Sequence, residues 1–528
     1  MKRIVSLVLA LAMVLSLCIF TTASADDGFV DGKFTETRHI TVEVYNRYND
    51  GGSDPTSSVY AQYIKQGMLD KYNVDVELVS VGRWTEVDDL NNLLATGDAP
   101  DVCVTYSYPT IQTFAGMDGI IDLNPLLTEY KDLLPDLWAL LGDYNIYYDQ
   151  DPETGSVWAI EAVLAESARI NTFIRKDWLD KLGLALPTTE AEFRDNAELL
   201  LGADAAKMVP FSISTDIGWR ADLLNVSKVP EDVSDETLYV YGYDDRHLLY
   251  PNYKEGIRVL NQWYNEGLIW KDFALYTDAS VEDDMMKSGF VGAFIHNWDY
   301  PYRNGEDSIQ ANLTRANGAD AGFIAVDCFQ NDAGITRKYL ADRIDRKVFF
   351  PATNDEPLAS LLYLNFISSE ETIKFLQTGK EGVTYKMTDN GAYEMLNATG
   401  EWIMNSGMNI DHTITVNGLY LGDATAATKA LSYPGVNPDF IITANTYGKL
   451  NGRIVKKFSC GAISAEEDVG TSLNSKRDAM LTQAVVAPVD QFDSVYDKGM
   501  ADYLASGGQN IIDERREKLE AIYGVHVD

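Results

Sequence analysis

Several tryptophans, tyrosines and arginines of this chain stand just after apolar, alternating stretches, where a strand would end and a loop begin. Arg47 and Tyr48 follow HITVEVY, Trp84 follows VDVELVSV, and Tyr106 and Tyr108 follow DVCVT. Further on come Arg169, the pair Trp219 and Arg220, and the run Trp298, Asp299 and Tyr300. An indole or phenol ring can lie on the C–H face of a pyranose, while Arg and Asp offer several hydrogen bonds to its hydroxyls. With 30 Tyr and 9 Trp the supply of such rings is large, and the same rings are ordinary core fillers. Trp178, Trp263 and Trp270 sit in or beside helical repeats and are assigned to cores.

Other chemistry leaves no recognisable arrangement. GxSxG, HExxH, the GxxxxGK phosphate loop and GxGxxG are all missing, so no cofactor or nucleophile motif is available. His39, His247, His296, His412 and His526 are dispersed, never at metal-ligand spacing. The chain carries 80 Asp and Glu, and an acid and base pair of glycosidase type could be among them, but nothing singles one out. Cys103, Cys328 and Cys460 are far apart and read as buried free thiols.

The elements that must position the candidate residues alternate between strand and helix. Strands are expected at His39–Tyr45, Val74–Val81 and within Gly97–Tyr106, with helices at Ser57–Tyr72 and Trp84–Thr96 between them, which favours a mainly parallel sheet. In such a sheet the loops at strand ends present ligand-binding groups. The stretch from Ala168 to Leu201 combines a strand from Arg169 to Ile174, a helix with Trp178, Leu179 and Leu182 on one face, and a stop at Gly183. Thr189 and Glu192 then have capping-box spacing, opening a helix that turns Phe193, Ala197 and Leu200 inward and ends near Gly202. A strand in MVPFSIST, a loop with Trp219 and Arg220, a helix at Asn252–Glu266 and a short buried strand at Val291–Ile295 follow. The segment Gln491–Tyr523 reads as an amphipathic helix.

This succession, with WYNEGLIWKDF (263–273), MKSGFVGAFIHNWDYPY (286–302), NDEPLASLLYLNFISSEE (354–371) and GKEGVTYKM (379–387) in that order, resembles the extracellular solute-binding proteins of family 1, the receptors of carbohydrate ABC importers. The resemblance implies an α/β, two-lobed periplasmic-binding-protein-like fold of type II, each lobe a mixed sheet flanked by helices, with a hinge between them. It implies a monomer that binds carbohydrate without enzymatic turnover, closes about its hinge and delivers the ligand to ABC permease subunits. It places Trp219 and Trp298 beside the cleft, with Asp299 and Tyr300 near the hinge. It also divides the chain into lobe 1 at 26–155, lobe 2 at 156–288, a return to lobe 1 at 289–350 and a return to lobe 2 with C-terminal helices at 351–528. Relatives usually carry a proline close to Glu161. Some hold calcium just before the strand that here reads MVPFS, but LLGADAAKMVPFS offers only Asp204 where roughly six to eight oxygen ligands are needed, so no metal is expected. A receptor for peptides or other polar nutrients, or an extracellular glycan hydrolase, would be the alternatives on such a scaffold.

Lys2 and Arg3, an apolar run from Ile4 to Phe20 and Ala23-Ser24-Ala25 form an export leader covering 1–25, and the protein is expected outside the cell or at its surface. Leu17 precedes Cys18 where a lipoprotein signal would have a small residue, which favours cleavage after Ala25 over a lipid anchor. After Ala25 no apolar stretch approaches the roughly 20 residues that span a bilayer. The formal net charge of −37 argues against nucleic acid and against anionic membrane surfaces as partners.

Overall fold

The computed structural model of the protein describes residues 28–528 except 49–52, 197–207, 277–279, 304–306, 388–392, 422–437 and positions 215, 245, 332, 397, 457, 459 and 462. The expected leader, Cys18, Asp204 and the helix end near Gly202 lie outside these residues.

The chain forms an α/β fold around two main sheets, with three further two-stranded pairs among the described residues, one of them joining Lys338–Leu340 to Gly452–Ile454. Alternation of apolar and polar residues produces β1 (Arg38–Asn46), and the helix Val59–Tyr72 returns the chain to β2 (Val74–Gly82), which pairs parallel to β1 over its whole length. The helix Glu86–Thr96, closed by Gly97 in the left-handed conformation, leads to β3 (Cys103–Thr105). A parallel bridge from Val42 to Val102 joins β3 to β1. Then come β4 (Ile160–Leu164), β5 (Ile170–Arg175), β6 (Val209–Ser212), β7 (Val291–Asn297) and β8 (Phe323–Val326). They are followed by β9 (Lys338–Leu340), β10 (Ile344–Phe349) and β11 (Val416–Asn417).

The first sheet runs β2-β1-β3-β10-β4-β11 and the second β8-β5-β7-β6. In the first, β10 is antiparallel to both β3 and β4, so β1 to β4 all point one way. Their carboxyl ends lie on the side where the chain leaves β4 for the second sheet. In the second, Ile170 at the start of β5 is level with Asn297 at the end of β7, and β6 is parallel to β7. The carboxyl ends of β6 and β7 therefore lie on the side where the chain arrives. Each sheet turns its loop-bearing end toward the crossings.

Each sheet has its own core. Ile40, Val42, Ile64, Met68, Leu361 and Leu364 pack in the first. In the second, Phe193, Phe211, Ile257, Trp263 and Leu481 pack on one side and Phe173, Phe294, Phe323 and Ala444 form a further cluster. The crossings run close together. Leu164 N–H donates to Arg343 O at 2.9 Å, Ala341 N–H to Ser167 O at 2.9 Å and Ala165 N–H to Asn417 O at 2.8 Å. Glu166, inside the first crossing, accepts from Asn445 and pairs with Lys449 at 2.8 Å, both on the helix Pro438–Lys449.

The lobe boundaries expected from the sequence change in three places. The strand Ile160–Leu164, expected in the second lobe, pairs with β10 and belongs to the first sheet. The segment 289–350 was expected to return to the first lobe, but Val291–Asn297 and Phe323–Val326 pair with either side of Ile170–Arg175, so the return begins at β10. The helix Pro357–Ile367, expected in the second lobe, packs in the first core, where Asn365 Oδ1 accepts from the N–H groups of Asp136 and Leu137 and its Nδ2 donates to Tyr72 Oη. Every residue from Ala359 to Ile367 is buried. Such a uniformly buried helix declares that it is covered without declaring by which sheet.

Local expectations change as well. The Glu192 carboxylate accepts at 2.8 Å from the N–H and hydroxyl of Thr188, one residue before the expected cap, while Thr189 Oγ1 accepts from Glu192 N–H. Trp219 and Arg220 belong to a short helix, Ile217–Arg220, capped by Asp216. The terminal helix is two, Phe492–Tyr503 and Gln509–Tyr523, because Gly507 takes φ 129° against Val469, where a Cβ would approach a Val469 methyl to 2.9 Å. Cys103, Cys328 and Cys460 are buried free thiols, and among the described residues no helix is long and apolar enough to cross a membrane.

Candidate functional site

On the first sheet the ends of β1, β2 and β3 bring Arg47, Tyr48, Arg83, Trp84 and Tyr106 to one end of the sheet. Arg47 follows β1 and donates from Nε and Nη2 to the two Asp411 oxygens at 2.7 and 2.9 Å. The Asp411 side chain is fully buried and that of Arg47 is partly buried. Tyr48 stands in the left-handed conformation, its N–H held by Asn46 Oδ1, and is 77% exposed.

Arg83 follows β2, pairs with Glu86 at 3.0 Å and lays its guanidinium 4.0 Å from the centre of the Tyr106 ring. Glu86 accepts from Tyr106 N–H and Thr105 Oγ1 as well, which fixes the three residues together. Tyr45 lies parallel to Tyr106 beneath this layer. Deeper still, the Glu43 carboxylate accepts from Val104 N–H, and burial pushes its pKa well up. Tyr108 begins the next helix, with its hydroxyl directed at Asp149 O; burial raises that phenol too.

On the second sheet Arg169 and Trp219 meet at the facing end, and Tyr300 follows β7 there, packed with the other cluster of that sheet. Trp219 donates its indole N–H to Asn297 Oδ1 at 2.8 Å and has the guanidinium groups of Arg169 and Arg246 at 5.1 and 4.7 Å from its ring. Arg246 is fixed in turn by Asp216. Arg169 also reaches His247, which binds Asp222 at 2.8 Å. Burial acts to raise the Asp222 pKa, but the attraction and hydrogen bond of His247 outweigh it and hold the carboxyl below its usual range. Tyr300 stacks on His296 and donates to Asp283.

Three expected site residues are engaged by the protein instead. Arg220 is 2% exposed and makes a 2.6 Å pair with Glu282 plus a bond to Ile295 O. Trp298 is 6% exposed within the second body's core, facing Gly448. Asp299 is spanned by Arg303 four residues on, at 2.6 Å. All three follow strands, as a binding residue would, but the chain turns them back under the sheet. Arg83, Arg246 and Asp216 were not among the candidates. Arg83 satisfied the same strand-end rule that picked Trp84, whereas Arg246 carries no local signal.

Among the described residues no group of three or more His, Cys, Asp or Glu could hold a metal ion. The arrangement is thus two facing sets of rings, each backed by guanidinium and carboxylate groups. It can stack on a planar or C–H surface and bind hydroxyl groups.

No protein-family model matches the chain, and no curated protein matches it by sequence. Solved structures do match by fold. An extracellular solute-binding protein from Bifidobacterium longum subsp. infantis superposes with a TM-score of 0.63 at 16% identity, over 91% of this chain and 98% of that one. The ABC-transporter substrate binding protein FusA of Streptococcus pneumoniae, in complex with kestose, gives 0.63 at 13% identity over 92% and 100%. The N-glycan transport solute binding protein of the same species gives 0.58 at 14% identity over 92% and 99%. The two-lobed solute-binding fold is therefore the fold of this chain.

Proposed function

We propose that this protein is the extracellular carbohydrate-capturing subunit of an ABC importer, exported by its leader, acting as a monomer and handing an oligosaccharide to membrane permease subunits. The observation that carries this reading is the pair of facing strand ends, each with rings already backed by charged groups, on two bodies joined by closely bonded crossings. The solved proteins of this fold that bind kestose or serve N-glycan transport support it.

The mechanism is a shift of population. A sugar seated on Tyr106 and Arg47 of the first lobe gains the Trp219, Arg169 and Tyr300 contacts of the second only when the lobes close. That difference in affinity draws the equilibrium to the closed form, and the permease reads the closed shape. Crossings 165–169 and 341–343 act as the hinge. Pre-placed guanidinium and ring groups reduce the ordering cost of binding.

Isothermal titration of residues 26–528 against plant, host and microbial oligosaccharides, with di- and tripeptides alongside, tests the reading. Binding of one glycan class without release of reducing sugar, together with a smaller radius of gyration in solution scattering, is expected. Silence to every sugar with a response to peptides would overturn the substrate class, and released reducing sugar would overturn the non-enzymatic role.

A further inference from the structure

The second sheet extends one element beyond β6. Ile269 bridges Phe211 in parallel, and Phe211 N–H donates to Leu268 O at 2.9 Å. Trp270 to Tyr276 therefore follow the carboxyl end of the outermost element of that sheet, on its loop-bearing side. Buried Phe273 anchors the turn, and Tyr276 lies on Trp270 with ring centres 4.8 Å apart and planes 20° apart. Trp270, assigned to the core from its sequence setting, is only partly buried and packs against both clusters of the second body. Tyr276 is 39% exposed.

The first sheet has a counterpart. The outermost strand is β2, and Trp84 follows its carboxyl end with 72% of its surface exposed and the Arg83 guanidinium 5.3 Å from the ring centre. The chain crosses between lobes from β4 to β5, from β9 to β10 and again after β11, so Trp84 and Tyr276 each follow the outer element farthest from the crossings in their own sheet. Each ring is backed and has an exposed remainder: Trp84 borders the Arg83 guanidinium that also covers Tyr106, and Tyr276 lies on the Trp270 indole. Isolated apolar residues on a surface need no explanation. Two backed rings at corresponding outer strand ends of two facing sheets do.

We infer that Trp84 and the Trp270–Tyr276 stack form the outer stacking positions of the cleft and bind the end of an oligosaccharide that lies farthest from the hinge. This rests on the carbohydrate reading and adds a length preference to it. Short sugars fill the positions near Tyr106 and Trp219, and units beyond them reach the outer rings.

The test is titration of the wild-type protein, Trp84→Ala and Tyr276→Ala with ladders of manno-, xylo-, cello-, malto- and fructo-oligosaccharides of two to six units. The expected result is wild-type affinity rising with length in one ladder, with each substitution weakening its longest member by about three- to tenfold and leaving its shortest unchanged. Both side chains are exposed enough for the variants to keep the wild-type fold, which circular dichroism checks. Wild-type affinity independent of length, or substitutions that act on all lengths alike or on none, would overturn the outer positions while leaving the receptor reading intact. Failure of every ladder to bind the wild-type protein would overturn the carbohydrate reading and this inference with it.

Discussion

Arg47 and Asp411 stand 364 residues apart and meet in a two-point ion pair beneath the loop that ends the first strand. Asp411 also faces the fully buried Arg346, 3.6 Å away. One carboxylate thus answers two cations, one at the edge of the cleft and one under it.

Asp411→Ala is expected to destabilise the protein by about 3 kcal/mol, because it removes the partner of Arg47 and one of the two carboxylates facing the buried Arg346. Arg47→Ala should cost less, since Asp411 keeps Arg346. Urea unfolding of both variants checks this, and an equal or reversed order would contradict the shared-carboxylate account.

Glu43 gives a pH signature. Burial raises its carboxyl pKa in the folded state above the unfolded value, so the folded protein holds that proton longer. This group's contribution to stability is then fullest below the ordinary Glu range and declines as pH rises toward the raised value. Glu43→Gln removes the decline, and its stability relative to wild type should increase from pH 4.5 to pH 8 in chemical denaturation. A difference independent of pH would refute this.

Asn261 fastens two helices of the second lobe. Its amide donates to the carbonyls of Ala484, Val485 and Ala487 at 3.0, 3.0 and 2.7 Å, at the end of the helix Ser464–Val486. Asn261→Ala leaves those carbonyls without that donor and should cost about 2 kcal/mol, seen as a lower urea midpoint. An unchanged midpoint would show that other donors replace it.

Glu166 should govern motion at the hinge. Its carboxylate accepts from Ala168 N–H at 2.9 Å and ties the first crossing to Lys449 and Asn445. Glu166→Ala is expected to speed amide hydrogen exchange across 165–169 while the strands on either side keep their protection. Unaltered exchange there would remove Glu166 from the hinge.

What could be read from the sequence was local. Val74–Gly82 alternates cleanly because one face is covered, and Gly97 and Gly183 close their helices in the left-handed conformation, as a stop glycine should. The strand-end rule picked Arg47 and Tyr106, which follow β1 and β3 at one end of the first sheet. It also picked Trp298, since a loop residue that turns under a sheet has the same neighbours in sequence as one that turns outward. Asp411 was beyond reach, because nothing around it announces Arg47. The lobe assignment of Val291–Asn297 failed for a related reason: VGAFI is apolar throughout, and a strand covered on both faces carries no record of its partner.

The repeated crossing has a consequence for how the chain is made. Residues 38–164 lack β10, β11 and the helix Pro357–Ile367, which arrive roughly two hundred residues later, and the second lobe waits for the helix Ser464–Val486 near the other terminus. Neither lobe is a contiguous stretch that could close as it emerges during synthesis. Folding of both must follow completion of most of the chain, with long loops closed before the contacts that reward them.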